Sequence, residues 1–160
     1  MHKKNFVEPK WKMPYPLCNA RTQTGQPCKH RTCKYAPKCM HHTKVRVGPS
    51  TLAAGRGLFA KSNIPANETI ADYTVGTKAL TPAQFLNAHP SGRATHVWRH
   101  PNGVYYDARD LTKSVAGAAN RANRGARNNA RITGGGKLKM RRAVRAGTEI
   151  LTSYGQGFRI

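Results

Sequence analysis

A stretch of 25 residues near the start of the chain contains a group of six Cys and His residues that we consider as metal ligands. They are Cys18, Cys28, Cys33, Cys39, His41 and His42. Thiolate and imidazole are the ligands that Zn²⁺ prefers, and four of them complete a tetrahedral site. The pattern predicts a zinc site formed by Cys18, Cys28, Cys39 and His42, with Cys33 as the alternative ligand.

The competing interpretation of these cysteines is two disulfides or four unmodified thiols. The opening of the chain lacks the apolar run of a secretory signal, so we expect an intracellular protein that is not secreted, where disulfides are rare. The first 47 residues contain 11 Lys or Arg, a single acid and few aliphatic residues. Zinc binding would contribute on the order of 10 kcal/mol to such a segment, so we favour a structural zinc over direct contact of this segment with nucleic acid.

The charge of the chain predicts a polyanionic partner. Its 160 residues include 28 Lys or Arg and 6 Asp or Glu, a formal charge of +22. Nine basic residues and no acid lie between Arg121 and Arg145. A field of this sign attracts nucleic acid or another polyanionic assembly. No apolar stretch is long enough to span a bilayer, so we expect no membrane partner.

The spacing of apolar residues predicts a mainly β fold with few short helices. Short apolar runs separated by Gly, Pro and Asn predict strands, at 57–60, 69–75, 96–98, 104–107, 138–144 and 149–154. Thr81-Pro82 predicts the cap and first turn of a short helix through Asn87, and a second helical turn is expected around 116–122. The segments 64–70 and 144–150 share one pattern, an apolar residue, a turn and then a strand. We expect a basic tail at 1–15, a zinc-binding segment at 16–44 and one domain at 45–160.

Three short motifs follow one another in residues 45–160. They are Gly55-Arg56-Gly57-Leu58-Phe59-Ala60, the stretch from Asn123 to Ala130, and Glu149 with Tyr154-Gly155. Their order resembles that of SET-domain lysine methyltransferases. The cysteine segment, with Cys18-Asn19-Ala20-Arg21-Thr22 and the Cys-x-x-His pair of 39–42, is similar to the segment that precedes SET domains in some large DNA viruses and algae.

This resemblance implies a SET-like fold of small sheets with a C-terminal pseudoknot, preceded by the small zinc-stapled segment. It also implies a pocket for S-adenosylmethionine that meets a narrow lysine channel. The residues that it places at the cofactor are Gly55, Arg56, Gly57, Leu58, Asn123, Arg124 and Asn129. The hydroxyl of Tyr154 would lie beside the transferring methyl group, and Tyr73 would form a wall of the lysine channel, with Tyr106 as a weaker candidate.

Two functions compete on this basis. The first is methylation of lysine in a histone-like or other basic chromatin or virion protein, in the nucleus or in a viral factory or virion. The second is a SET-fold protein with little or no activity that serves as a basic structural component of a nucleic-acid assembly or particle. The second function is supported by Arg124, which occupies the position where the family usually has histidine. An arginine there would place a cation near the cationic sulfonium of the cofactor.

Overall fold

The computed structural model describes residues 15–52, 55–92, 94, 96–121 and 127–153, and they form the β-rich SET fold that the sequence predicts. The strands are β1 Val45–Pro49, β2 Arg56–Ala60, β3 Thr69–Asp72, β4 Lys78–Leu80, β5 Val97–Arg99, β6 Tyr105–Asp107, β7 Ala130–Ile132, β8 Lys137–Met140 and β9 Thr152–Ser153. The helix α1 spans Pro82–Ala88, and a 3₁₀ turn spans Ala116–Ala118. In the described part of the chain, no helix has the length and apolarity needed to cross a membrane.

The described strands form three small sheets. Their orders are β1-β2, β3-β8-β7-β9 and β4-β6-β5. All the pairings are antiparallel except that of β7 with β9. This parallel pairing inserts the C-terminal strand beside an internal one. The sheets enclose one main apolar core, whose most deeply buried members include Val45, Leu58, Ile64, Tyr73, Val115, Leu138, Met140 and Ile150.

Several predicted strands are shorter than expected, and three strands were not predicted. The strand predicted at 69–75 ends at Asp72, whose carboxylate accepts hydrogen bonds from the Thr74 amide at 2.8 Å and hydroxyl at 2.6 Å. This local turn competes with further pairing. The strand predicted at 138–144 ends at Met140. Strands β4 and β7 have only three residues each, and β1 contains Gly48 and Pro49, so none of the three forms a continuous apolar run.

The predicted helix is confirmed, together with its cap. The Thr81 hydroxyl accepts a hydrogen bond from the Gln84 amide at 3.2 Å, and the Gln84 side chain accepts one from the Thr81 amide at 2.9 Å. This reciprocal arrangement satisfies two backbone donors that the first turn leaves free. Phe85 is the buried residue of the helix and stacks on Tyr105 with ring centroids 4.1 Å apart.

The two segments of similar sequence lie side by side. Ile64 and Val144 exchange backbone hydrogen bonds of 3.0 and 2.9 Å. Three residues after each of them, Asn67 and Gly147 adopt left-handed conformations, with φ of 65° and 83°. Asn and Gly are the residues that adopt this region most readily. The repeated pattern therefore encodes the same turn twice.

Gly57 provides space for a buried carboxylate of the protein itself. Ile150 donates its amide to the Leu58 carbonyl at 2.7 Å, which holds the segment of Glu149 against β2. A Cβ on Gly57 would overlap Glu149 Oε1 and would lie 2.9 Å from Glu149 Cδ. A flexible carboxylate could normally move away, but the Glu149 carboxylate is held in place by several hydrogen bonds. Position 57 therefore requires glycine irrespective of any ligand.

We expect Gly57→Ala to lower the free energy of unfolding by about 1–3 kcal/mol, the usual cost of overpacking. The matched control is Gly135→Ala, because a Cβ at Gly135 meets no atom within 4 Å. Urea unfolding followed by circular dichroism measures both. Equal stability of the two variants would show that the carboxylate moves away at no cost.

Candidate functional site

Cys18, Cys28, Cys39 and His42 converge in the structure. Cys39 Sγ lies 3.3 Å from His42 Nδ1 and 4.0 Å from Cys28 Sγ, and Cys18 Sγ lies 3.7 Å from His42 Nδ1. All four ligand atoms lie within 4.8 Å of one another. A tetrahedral Zn²⁺ with bonds of about 2.0–2.3 Å requires ligand atoms roughly 3.3–3.8 Å apart. The donor set and its spacing therefore fit a zinc ion.

Local backbone structure brings these ligands together. The His42 amide donates to the Cys39 carbonyl at 3.0 Å, a tight turn that places the two side chains on one side. A short hairpin delivers the other two, because the Cys28 amide donates to the Ala20 carbonyl at 2.9 Å. The three thiols are buried, whereas Cys33 is half-buried and does not belong to the cluster.

Two of the clustered thiols differ in acidity. Burial acts to raise the pKa of Cys18, but hydrogen bonds from the backbone of Cys39 and Ala20 outweigh it and leave this pKa below its ordinary value. Burial dominates at Cys28, whose pKa is raised. A pocket in which one thiol ionises more readily and another less readily suits metal binding, since a cation supplies the charge that keeps its ligands as thiolates.

The carboxylate of Glu149 links three segments that are distant in sequence. Its oxygens accept hydrogen bonds from the Ser50 hydroxyl at 2.8 Å, from the Thr51 amide and hydroxyl at 3.0 and 2.7 Å, and from the Asn120 amide group at 3.0 Å. The same Asn120 nitrogen lies 3.1 Å from the Arg56 carbonyl, to which it also donates. Glu149 is only 8% exposed, and within the described residues no Lys or Arg pairs with it.

These donors determine the ionisation of Glu149. Burial alone acts to raise its pKa, but the hydrogen bonds from Asn120, Thr51 and Ser50 together lower the pKa below the ordinary value of a glutamate. The group is therefore a buried anion that neutral dipoles stabilise. It is a structural centre of the region that the sequence assigns to the cofactor.

The described residues predicted at the cofactor surround this centre. Gly55 has φ of 110°, and a Cβ there would meet no atom within 4 Å, so its surroundings are open. Arg56 is exposed, and its carbonyl accepts from Asn120. The Leu58 side chain is fully buried in the core, so any contact of this residue with a cofactor would involve its backbone.

Asn129 connects β7 to the C-terminal segment. Its side-chain nitrogen donates to the Glu149 carbonyl at 2.8 Å, and its side-chain oxygen accepts from the Leu151 amide at 2.8 Å. Both ends of the amide therefore bond to backbone on either side of Ile150. Its expected place at the cofactor stays a prediction, and through these bonds it fixes the segment that leads to Tyr154.

Tyr73, the predicted wall of the lysine channel, is 1% exposed and belongs to the main core. Its ring centroid lies 6.2 Å from that of Trp98, and Trp98 in turn stacks on Tyr106 with centroids 5.7 Å apart. Tyr106 is half-buried. The structure thus joins the two tyrosines through Trp98, a residue for which the sequence suggested no role at the site. Asn123, Arg124 and Tyr154 lie outside the described residues.

Sequence reasoning did not identify Asn120, Ser50 or Thr51 as parts of this centre. Glu149 stood in a recognised motif but received no role. One available signal was its rarity, because it is one of 6 acids and is followed directly by the apolar pair Ile150-Leu151. An acid in such a strand is buried and needs partners.

Comparisons with known proteins agree with this architecture. The family model of the SET domain matches residues 55–155, and the chain therefore belongs to the SET domain family. No curated protein matches the chain by sequence. Among solved structures, the chain is similar to one in a humanized mutant of the Chaetomium thermophilum Polycomb Repressive Complex 2 bound to the inhibitor GSK126. The identity is 19% and the TM-score 0.56, over 72% of this chain and 15% of the other, so the match supports the fold.

We expect Glu149→Gln to lower the free energy of unfolding at neutral pH by about 1–3 kcal/mol, because hydrogen bonds to a buried charge are replaced by weaker and partly mismatched ones. The folded-state pKa of Glu149 is lowered. Its stabilisation is therefore complete above the ordinary glutamate pKa of about 4.3 and is lost as the pH falls through the lower folded value.

Denaturant unfolding of both proteins between neutral and acid pH tests this dependence. The other carboxylates and the metal ligands titrate in both proteins, so the difference in unfolding free energy reports on Glu149. The difference should narrow as the pH falls. A difference in unfolding free energy that stays constant with pH would show that Glu149 does not stabilise the fold as an ionised group.

Proposed function

We propose that the protein is an S-adenosylmethionine-dependent protein-lysine N-methyltransferase. Members of its family are protein-lysine methyltransferases. The observation that carries the proposal is the convergence of the segments flanking the predicted cofactor residues: Leu58 accepts from Ile150 at 2.7 Å, and Asn120 accepts from Thr152 at 2.8 Å. Asn120 lies three residues before Asn123, and Thr152 lies two before Tyr154.

The described residues fit a bound polar cofactor in this region. Gly55 offers open space without a Cβ. Within the described residues, the buried hydroxyl of Thr152 has no hydrogen-bond partner, although buried hydroxyls normally have one. Gly55 and the segment of Asn123 would hold S-adenosylmethionine, which supplies a methyl group already activated on sulfur.

In such a transfer, the main contribution of the protein is to position the lysine amine and the methyl group. Tyr154 would align the lysine amine with the methyl group, and proximity of this kind contributes several kcal/mol, within a limit of about 7–11. The lysine must first lose a proton. An aromatic wall that includes Tyr73, whose ring centroid lies 6.2 Å from that of Trp98, would favour the neutral amine, because burial disfavours the ammonium form.

For the substrate, we propose a lysine-rich, histone-like protein that is presented on nucleic acid or in another polyanionic assembly. A protein of charge +22 repels a free basic tail. A polyanion offsets this repulsion, which would place the protein in a nucleus, viral factory or virion. We further propose that the Cys18, Cys28, Cys39 and His42 cluster holds a structural Zn²⁺, because all four positions are filled by protein and leave none open for catalysis.

Arg124 favours a second candidate function, a SET-fold structural component with little activity. It stands where the family usually has histidine, and its charge opposes a cationic sulfonium nearby. The same net charge of +22 suits a protein packed with nucleic acid. Binding of the cofactor separates the two functions.

We expect titration calorimetry with S-adenosylmethionine to show saturable one-to-one binding. Tyr154→Phe should keep this affinity and lose about ten- to a hundredfold in turnover, since one hydrogen bond to a charged group contributes about 1.5–3 kcal/mol. Turnover is measured on core histones with and without DNA, with methyl-lysine identified by mass spectrometry. Wild-type turnover in Tyr154→Phe would contradict the role of Tyr154, and no binding at millimolar cofactor would leave the structural function.

Elemental analysis of the purified protein should give one zinc per chain. Cys39→Ser should lose the zinc and expose residues 16–44 to proteolysis, because this segment has little apolar core besides the cluster. Cys33→Ser is the matched control and should keep the metal, since Cys33 lies outside the cluster. Equal zinc content in the two variants would contradict the ligand set.

A further inference from the structure

One face of the sheet β3-β8-β7-β9 presents four basic side chains. Along β8 and just beyond it, Lys137, Lys139 and Arg141 alternate with Leu138 and Met140, both of which are 0% exposed. Because successive side chains of a strand point to opposite faces, the three basic residues share the outward face. Arg131 on β7 lies directly opposite Lys139. We call Arg131, Lys137, Lys139 and Arg141 the cationic face.

The charges of the cationic face are not neutralised within the described protein. Like charges directly opposite each other on neighbouring strands are destabilising, and Arg131 and Lys139 stand in this relation. Asp72 is the acid nearest in register, opposite Lys137, but its carboxylate accepts from Thr74 and forms no ion pair. The ion pairs of the described residues lie elsewhere, at Lys44 with Glu68, Arg109 with Asp107 and Lys113 with Asp110.

We propose that the cationic face binds the phosphate backbone of duplex DNA without sequence preference. The proposal rests on the polyanionic partner inferred above and does not depend on methyl transfer. Four cations that form no ion pair with another described residue, on strands about 4.8 Å apart and with same-face residues about 6.6–6.8 Å apart, suit a continuous polyanion. Release of counterions from the phosphates then drives binding.

The composition of the face distinguishes this partner from the others. Its remaining described side chains are polar, among them Thr69 in register with Lys139. Protein interfaces have an apolar or aromatic centre, and single-stranded nucleic acid is held by stacking on aromatic rings. The described residues of this face supply neither. Binding of duplex DNA requires only cations that reach its phosphates. The cationic face therefore fits duplex DNA better than the other partners.

The test compares two fourfold variants of the full-length, metal-loaded protein. In the first, Arg131, Lys137, Lys139 and Arg141 are replaced by Gln. The control replaces Lys29, Lys61, Lys78 and Arg99 by Gln, because these four residues are exposed and lie scattered over other surfaces. Both variants lower the net charge equally. Binding of a short fluorescein-labelled duplex is measured by anisotropy between about 50 and 200 mM salt, the range over which phosphate contacts dominate.

We expect the variant of the cationic face to lose at least tenfold in affinity at the middle of this range. Its slope of log K against log salt should fall in magnitude by about 3.6, since four phosphate contacts are lost and each removes about 0.9. The control should stay near the wild type. Added duplex should also raise the melting temperature of the wild type more than that of the face variant, because a ligand of the folded state stabilises it.

Equal losses of DNA affinity in the two variants would contradict the proposal that the cationic face is the binding surface. They would still be consistent with a polyanionic partner. Binding of the wild type to polyglutamate but not to DNA would contradict duplex DNA as the partner and would indicate an acidic protein instead. Absence of binding to either would overturn the partner as well. Titration of the same variants with S-adenosylmethionine reports separately on the proposed enzyme, since none of the replaced residues belongs to the predicted cofactor set.

Discussion

The burial of one carboxylate organises the part of the fold that belongs to the predicted active site. Glu149 is removed from water in a chain with few acids, and an ion in this position needs several donors to offset its desolvation. The donors come from residues 50–51 and from Asn120, and the space comes from Gly57. Four short stretches therefore meet at this one carboxylate. Because the Glu149 segment precedes β9, the same interaction fixes the strand that enters beside β7.

The protein stabilises its two parts by different means. The sheets are small, with strands of two to five residues, yet they bury a main apolar core and a smaller cluster of Leu80, Phe85 and Val97. The segment before β1 buries Cys18, Cys28 and Cys39 as a cluster, with Ala20 packed against it. Hydrophobic burial dominates in the first part, whereas the second has few apolar side chains and would gain stability from the proposed metal. The bond from the Val115 amide to the Lys34 carbonyl, at 3.0 Å, joins the two parts.

Features encoded locally could be predicted from the sequence, and features encoded over long distances could not. The capping box of Thr81 and Gln84 needs four consecutive residues, and the twin turns at Asn67 and Gly147 need about as many. The four residues of the expected zinc set meet because short turns deliver them. In contrast, Glu149 meets Ser50 and Thr51 across 98 to 99 positions of the chain. The family resemblance places Gly57 at the cofactor, and the structure shows that the missing Cβ at this position also makes room for the Glu149 carboxylate.

The distribution of charge in the fold also follows from the small number of acidic residues. The described acids other than Glu149 lie at turns or in ion pairs near the surface, so the sheet β3-β8-β7-β9 has little with which to neutralise its basic face. This sheet also contains the strands that lead into the predicted site, because β7 starts directly after Asn129 and β9 ends directly before Tyr154. A polyanion on the cationic face would relieve the repulsion between Arg131 and Lys139. It would also lower the electrostatic cost of bringing a lysine-rich substrate to the same sheet. The positive charge of the proposed enzyme would then favour substrates that are already held on nucleic acid and disfavour free basic tails.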